Sequence, residues 1–281
     1  MIVEPAGRDE FLALMRETYG SAMSNDEFDW WFDRNPAGPR ILNAARDDDG
    51  TALGVLAMSF ARLDAGLAAF AIHAVTTPAS RGKGAFSALA LHNEQEAAAG
   101  GAQWALGFAN PLSGPILVDK LGWQDIAALR VWARPKRLRR RAGGGLRVTA
   151  GVAPASAERR LPGHHIVRDP EYLNWRYAAS PRVYAQTGDA IVTHAVWHGY
   201  SSAIVCETGP AASLRLASAA VDADTAIAFV NHGEEGTFLA AGFFPTTSTI
   251  RFIGKRLRDD APPLPLGRRA WSVSLGDLDF F

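Results

Sequence analysis

Apolar and polar positions change period along the chain, and those changes mark out its elements. Arg8 to Tyr19 carries Phe11, Leu12, Leu14 and Met15 at helical spacing, which predicts an opening amphipathic helix. Ser24-Asn25 offers an N-cap for a second short helix holding Phe28, Trp30, Trp31 and Phe32, and Asn35-Pro36 ends it. Two β-like runs, Ile41 to Arg46 and Ala52 to Ala61, flank Asp47-Asp48-Asp49-Gly50. A hairpin is expected there, with the acidic triplet a solvated turn rather than a metal site. Phe70 to Thr77 is apolar and β-branched, and Pro78 stops it, so a buried strand is predicted. Helical spacing returns from Gly84 in Phe86, Leu89, Ala90, Asn93 and Ala97, until Gly100-Gly101. Trp104 to Phe108 then predicts a strand, Pro111 to Leu121 a helix, and Ile126 to Ala133 another strand.

The turn joining the strand at 70–77 to its helix is Arg81-Gly82-Lys83-Gly84-Ala85-Phe86. A helix start presents unpaired N–H groups and the positive end of the helix dipole, so it binds phosphate. Glycines at 82 and 84 let the backbone bend and a ligand approach, and Arg81 and Lys83 add charge. Neither the GxxxxGK[ST] spacing nor GxGxxG is present.

The run Val75-Thr76-Thr77-Pro78-Ala79-Ser80-Arg81-Gly82-Lys83-Gly84-Ala85-Phe86 resembles the pyrophosphate loop of the GNAT acyl-CoA N-acyltransferases, V-x-x-P-x-x-R-x-x-G-x-[GA]. Phe86 stands where that pattern ends in Gly or Ala. The likeness runs from about Phe70 to Trp132, with Asn110 after the next strand and Gly122-Trp123 after the next helix. It implies acetyl-CoA, or another acyl-CoA, as cofactor, with the diphosphate held by Arg81, Gly82, Lys83, Gly84, Ala85 and Phe86. It also implies that Val75 offers its backbone to the pantetheine arm and that Asn110 helps hold the arm or a water. Asn110 equally suits a helix cap.

The resemblance is incomplete where the chemistry is done. The family's Tyr, about four residues before the Gly-aromatic pair, is replaced by Val118, and the Glu common on the strand before the loop is missing. Ser113 is the hydroxyl that could serve in that area, with capping as its alternative role. His73, the only titratable residue of its strand, is the candidate base because histidine titrates near neutral pH; a hydrogen-bonded core histidine is the alternative.

The chain also carries an internal repeat. Phe28 to Pro36 lines up with Leu173 to Pro181 as apolar, Asx, Trp, any, aromatic, then a Pro. Ala105 to Trp123 lines up with Ile227 to Phe243, pairing Phe108 with Phe229, Asn110 with Asn231 and Gly122-Trp123 with Gly242-Phe243. In the second copy, the strand Ala203 to Glu207 leads through Thr208-Gly209-Pro210 into an Ala211 to Ala220 helix, with no Arg-x-x-Gly. The expected fold is therefore α/β (α+β): two tandem GNAT-like halves, each a mixed, mostly antiparallel sheet flanked by helices. Residues 1–134 form the half with the cradle, 135–150 a basic, glycine-rich linker, and 151–281 a degenerate half.

Composition narrows the partners. In 281 residues, 29 basic and 29 acidic side chains balance, so no global charge recruits nucleic acid or an anionic membrane. The cluster Lys136 to Arg141 is the one candidate nucleic-acid feature, and it lacks interleaved aromatics. A single cysteine, Cys206, excludes an intrachain disulfide and a CxxC site, and its apolar strand suggests an inert thiol. His194 and His198 have helical metal-pair spacing but sit in a run that reads as a strand. Met1 to Glu10 shows no basic segment followed by an apolar run, and no membrane-length apolar window occurs, so a soluble cytoplasmic protein is expected. The tail Trp271 to Phe281 alternates like a strand, which would point Asp277 and Asp279 to one side as receivers of a cationic amine or as a solvated face.

The leading expectation is an acetyl-CoA-dependent N-acetyltransferase acting on a small-molecule or peptidyl amine, with neither nucleic acid nor membrane as partner. A Fem-type aminoacyl-tRNA-dependent peptidyl transferase and a non-catalytic acyl-CoA-binding protein are the alternatives.

Overall fold

The computed structural model describes residues 1–135, 152–153 and 155–278. Its strands in chain order are β1 (Ile2–Pro5), β2 (Ile41–Arg46), β3 (Ala52–Leu63), β4 (Gly66–Thr76), β5 (Trp104–Ala109), β6 (Gln124–Pro135), β7 (Tyr184–Thr187), β8 (Ala190–Trp197), β9 (Tyr200–Glu207), β10 (Thr225–Phe229) and β11 (Phe244–Arg256). Its α-helices are α1 (Arg8–Tyr19), α2 (Asn25–Phe28), α3 (Ala85–Ala99), α4 (Pro170–Leu173), α5 (Ala211–Ala220) and α6 (Glu235–Ala240). The chain forms two compact units, 1–127 with 251–266, and 128–250 with 267–281. The expected domains, 1–134 and 151–281, were consecutive; these units are not. Residues 136–151, which hold nearly all of the expected linker and its basic cluster, lie outside the described residues, as does Asp279.

In the first unit, α1 forms because Phe11, Leu12 and Leu14 share a buried face while Asp9 and Glu10 sit in the first turn. Gly20, left-handed at φ 75°, ends it by donating its N–H to the Arg16 carbonyl. Ser24 and Glu27 form a reciprocal capping box on α2, which runs into a wider π-type turn, Asp29–Asp33, that buries Trp30, Trp31 and Phe32. The hairpin of β2 and β3 turns at Asp47, whose carboxylate accepts the N–H groups of Asp49 and Thr51. The strand order is β1-β2-β3-β4-β5, followed by residues 251–256 of β11. Every pairing is antiparallel except β4 with β5. Leu56, Met58, Leu89, Trp123 and Ile253 pack in its core under α3. At its margin the Glu94 carboxylate accepts the Trp123 indole N–H at 2.7 Å and pairs with Lys255 at 2.6 Å.

The second unit repeats this plan. Its order is β7-β8-β9-β10, followed by residues 131–135 of β6, and again one pair is parallel, β9 with β10, standing where β4 and β5 stand once the edge strand β1 is set aside. The π-type turn Asn174–Ala178 follows α4 as Asp29–Asp33 follows α2, and buries Arg176 and Tyr177. Gly122 and Gly242, at φ 74° and 88°, each make the left-handed turn before a buried aromatic, Trp123 or Phe243. Each unit thus takes its last strand from the other sequence copy.

One expectation fails here. The tail is not a strand: Arg268–Ala270 and Leu275–Asp277 are single 3-10 turns, because Ser274 and Asp277 cap each other reciprocally. His194 and His198 lie in the β8–β9 hairpin, where His194 shares a 2.8 Å hydrogen bond with the Ser201 hydroxyl and His198 turns the corner at φ 48°.

Candidate functional site

β4 and β5 run in parallel register only from Ala68–Trp104 to Ala71–Gly107. Just beyond, the pairing of β4 with β3 skips a residue: Ile72 faces Ala57, Ala74 faces Leu56, and His73 is the extra residue, at φ 45°. A bulge bends and twists its strand, so β4 turns away from β5 where the parallel ladder stops. On its other edge β5 stays paired with β11 along its whole length, from Trp104–Arg256 to Ala109–Arg251. The two strands therefore open into a notch, and among the described residues no strand pairs with its β4 side beyond Ala71.

The groups facing the notch are set by the two-residue period of the strand. The Val75 carbonyl points at β3, since a Cβ on Gly54 would lie 2.5 Å from it. Thr77 donates to the Leu53 carbonyl on that same side. Ala74 and Thr76 face the other way, and the Ala74 carbonyl accepts the Tyr19 hydroxyl at 2.8 Å. Val75, where a backbone contact is expected, is fully buried and its carbonyl is turned to β3.

At the end of the notch β4 gives way to the loop. Ser80 fixes it from beneath, donating to the Leu53 carbonyl and accepting from the Thr77 hydroxyl. The N–H groups of Arg81 and Lys83 are taken up by the Pro78 and Ser80 carbonyls, so those two residues present side chains rather than amides. Gly82 and Gly84 stand at φ 80° and 81°, a conformation that disfavours every residue with a Cβ, and both lie open to solvent. The α3 ladder opens with Ala88 donating to the Gly84 carbonyl, so the N–H groups of Ala85, Phe86 and Ser87 have no partner inside the helix. Arg81 and Lys83 are exposed beside them. Phe86, which departs from the family pattern, turns its ring to the core instead of the loop. The loop therefore offers directed amides, a helix dipole and two exposed cations, the equipment that binds a diphosphate.

The remaining predicted residues are less concentrated. His73 is half-buried at the bulge, with its ring edge-on to Phe11 and Phe32 at 6.2 and 6.3 Å. Asn110 is exposed and caps the following turn, its side-chain oxygen accepting the N–H groups of Leu112 and Ser113 at 2.9 Å. Ser113 bonds back to Asn110, so both residues serve the cap. Asp277 is a correction: its carboxylate is 3% exposed and locked to Arg168 at 2.5 Å, unable to receive an amine from solvent. Tyr19, Ala74 and Thr76 also lie at the notch though the residue pattern did not single them out, and the one available signal was Tyr19, a phenol at the last turn of a helix before Gly20.

The second unit carries the same notch. β9 and β10 pair from Ser202–Thr225 to Ile204–Ile227, and β9 then bulges against β8 at Cys206. Three residues, 208–210, lead into α5, against eight, 77–84, before α3. Here the splayed end is covered by the tail. A Cβ on Gly276 would lie 2.8 Å from the Cys206 carbonyl and 2.5 Å from the Tyr177 hydroxyl. The Gly276 carbonyl accepts two N–H bonds from Arg176, and Val273 donates to the side chain of Asn231, the counterpart of Asn110. Arg168, wholly buried, bridges Glu207 and Asp277. Burial opposes its charge, but the carboxylates of Asp277 and Glu207 hold it well above its ordinary value. Burial pushes the Cys206 thiol up to about 12.

No protein-family model and no curated protein sequence matches the chain. Solved structures do. A GCN5-related N-acetyltransferase from Anabaena variabilis superposes with a TM-score of 0.59 at 14% identity, over 92% of this chain and 73% of that one. A GCN5-related N-acetyltransferase from Kribbella flavida gives 0.56 at 12%, over 91% and 72%. Eis1 from Mycobacterium abscessus gives 0.52 at 13%, over 92% and 74%. The chain has the fold of the GCN5-related N-acetyltransferases.

Proposed function

We propose that the protein is an acyl-CoA-dependent N-acyltransferase, with acetyl-CoA as donor and a small-molecule or peptidyl amine as acceptor. The observation that carries this reading is the notch itself, a β4 edge freed by the bulge at His73 and leading directly into the glycine loop at the start of α3. That arrangement fits a long ligand with an anionic end and an amide-bearing arm. The diphosphate lies on the amides of Ala85, Phe86 and Ser87 with Arg81 and Lys83 beside it, and the arm pairs with Ala74 and Thr76 as an added strand would. When bound, acyl-CoA supplies the activated thioester.

The chain's own residues then position the reaction. Outward-facing N–H groups of the β4 edge lie where charge develops on the acyl oxygen. His73 stands at the bend of that strand with a ring suited to take the ammonium proton of the acceptor near neutral pH. Release of free thiol from acetyl-CoA, followed across a panel of primary amines, tests this. Amine-dependent release that drops by about 100-fold or more in His73→Ala supports the reading, by the usual worth of a general base. Binding of CoA without turnover on any amine favours the second reading, an acyl-CoA-binding protein, for which the engagement of Ser113 in the Asn110 cap speaks.

A further inference from the structure

Tyr19 has no part in the first unit's core: it is 58% exposed at the last residue of α1. Its one strong polar contact is with the Ala74 carbonyl, 55 residues away in the chain and 2.8 Å in space. That carbonyl lies on the part of β4 beyond Ala71, where the ladder to β5 has ended. In an uninterrupted sheet it would receive an N–H from a neighbouring strand, and here a phenol from another element takes that role. Arg81 of the glycine loop lies close enough for its charge to bear on the phenol. Burial outweighs that charge and raises the phenol above its ordinary value, so it keeps its proton and remains a donor at neutral pH.

We propose that Tyr19 guards the donor site: its hydroxyl occupies the edge acceptor that the pantetheine arm of acyl-CoA uses, and the cofactor must displace it to bind. The proposal rests on the acyl-CoA reading above. An arm that adds to β4 by main-chain pairing brings an N–H to the Ala74 carbonyl and an amide plane alongside it. The phenol cannot keep its place against both. Tyr19 is free to yield without melting α1, because it is the terminal residue and Gly20 has already taken the left-handed turn that stops the helix. Among the described residues the second unit has no counterpart of α1. The guard's effect is to tax weak ligands, so that molecules carrying only the diphosphate do not need to move it while those carrying the arm do.

Calorimetric titration of the full chain with CoA and with adenosine 3′,5′-bisphosphate, which lacks the arm, tests the proposal in the wild type, Tyr19→Phe, Tyr19→Ala and Arg81→Glu. Removing one hydrogen bond that binding must break should tighten CoA about two- to tenfold in Tyr19→Phe. Tyr19→Ala should tighten it at least as much, and neither variant should alter affinity for the armless bisphosphate. CoA affinity that is unchanged or weaker in Tyr19→Phe overturns the guard while leaving the donor site intact, provided that Arg81→Glu still loses binding. If the wild type binds no CoA and Arg81→Glu changes nothing, the donor-site reading falls and the guard falls with it.

Discussion

The two units share a strand order, a parallel pair that parts, a bulge at the parting and a Gly-aromatic turn, yet one leaves its notch open and the other closes it. In the first, the bulged strand runs into eight residues that include two left-handed glycines, and Asn110 merely caps an exposed turn. In the second, three residues lead straight into α5, and Asn231 holds the tail in place through Val273 and Arg268. A GNAT-like scaffold generates a notch from strand geometry alone. Whether that notch becomes a site depends on the length and glycine content of the loop after the bulged strand, and on whether another segment of chain fills the gap.

Cutting the second unit's internal ligand should have the largest effect. Asp277→Ala leaves Arg168 buried with one carboxylate in place of two, and the loss of a buried partner costs about 3–5 kcal/mol. Urea unfolding followed by tryptophan fluorescence should show a lower midpoint. A midpoint within experimental error of the wild type would mean that the tail is not held by this pair.

The two asparagines sharpen the comparison at a smaller scale. Asn231→Ala deprives Val273 N–H and Arg268 of a buried acceptor and should cost about 1–3 kcal/mol, whereas Asn110→Ala loses an exposed cap worth about 1 kcal/mol. The same unfolding curves measure both. Equal costs would erase the distinction drawn between the two positions.

The last effect is alkaline and is absent at neutral pH. An unfolded cysteine ionises near pH 8.5, while in the folded chain burial keeps the Cys206 thiol protonated up to about 12. The folded state therefore binds more protons in this range. The contribution is present in full below about pH 8.5 and declines as pH rises toward 12, by up to about 1.4 kcal/mol per pH unit. Tyr172 and Tyr177, also raised chiefly by burial, act in the same direction. Cys206→Ala should lose less stability between pH 8 and pH 10 than the wild type does. Identical losses would show that the thiol is not sealed at the second bulge.

Much of this architecture was legible in the residue pattern. The spacing of Phe11, Leu12 and Leu14 placed α1 at Arg8–Tyr19, and α5 fell at Ala211–Ala220 as its pattern indicated. The loop glycines announced themselves because left-handed turns leave few other choices of residue. The bulges did not: His73 and Cys206 continue the pattern of their own strands, and only register against β3 and β8 reveals them as extra residues. The return of residues 251–256 to β5 was hidden for the same reason, since pairing partners far apart in sequence leave no local period. The tail misled through Trp271, Val273 and Leu275, which alternate as a strand would. The competing signal, Ser274 three residues before Asp277, is a reciprocal cap and prevailed because it satisfies buried polar groups.

One donor site per chain is expected, built on the loop at 81–86. Calorimetric titration with CoA reads its stoichiometry. One mole should bind per mole of chain, falling to no detectable binding in Arg81→Glu while thermal unfolding stays unchanged. Two moles per chain, or binding that survives Arg81→Glu with its affinity intact, would contradict it.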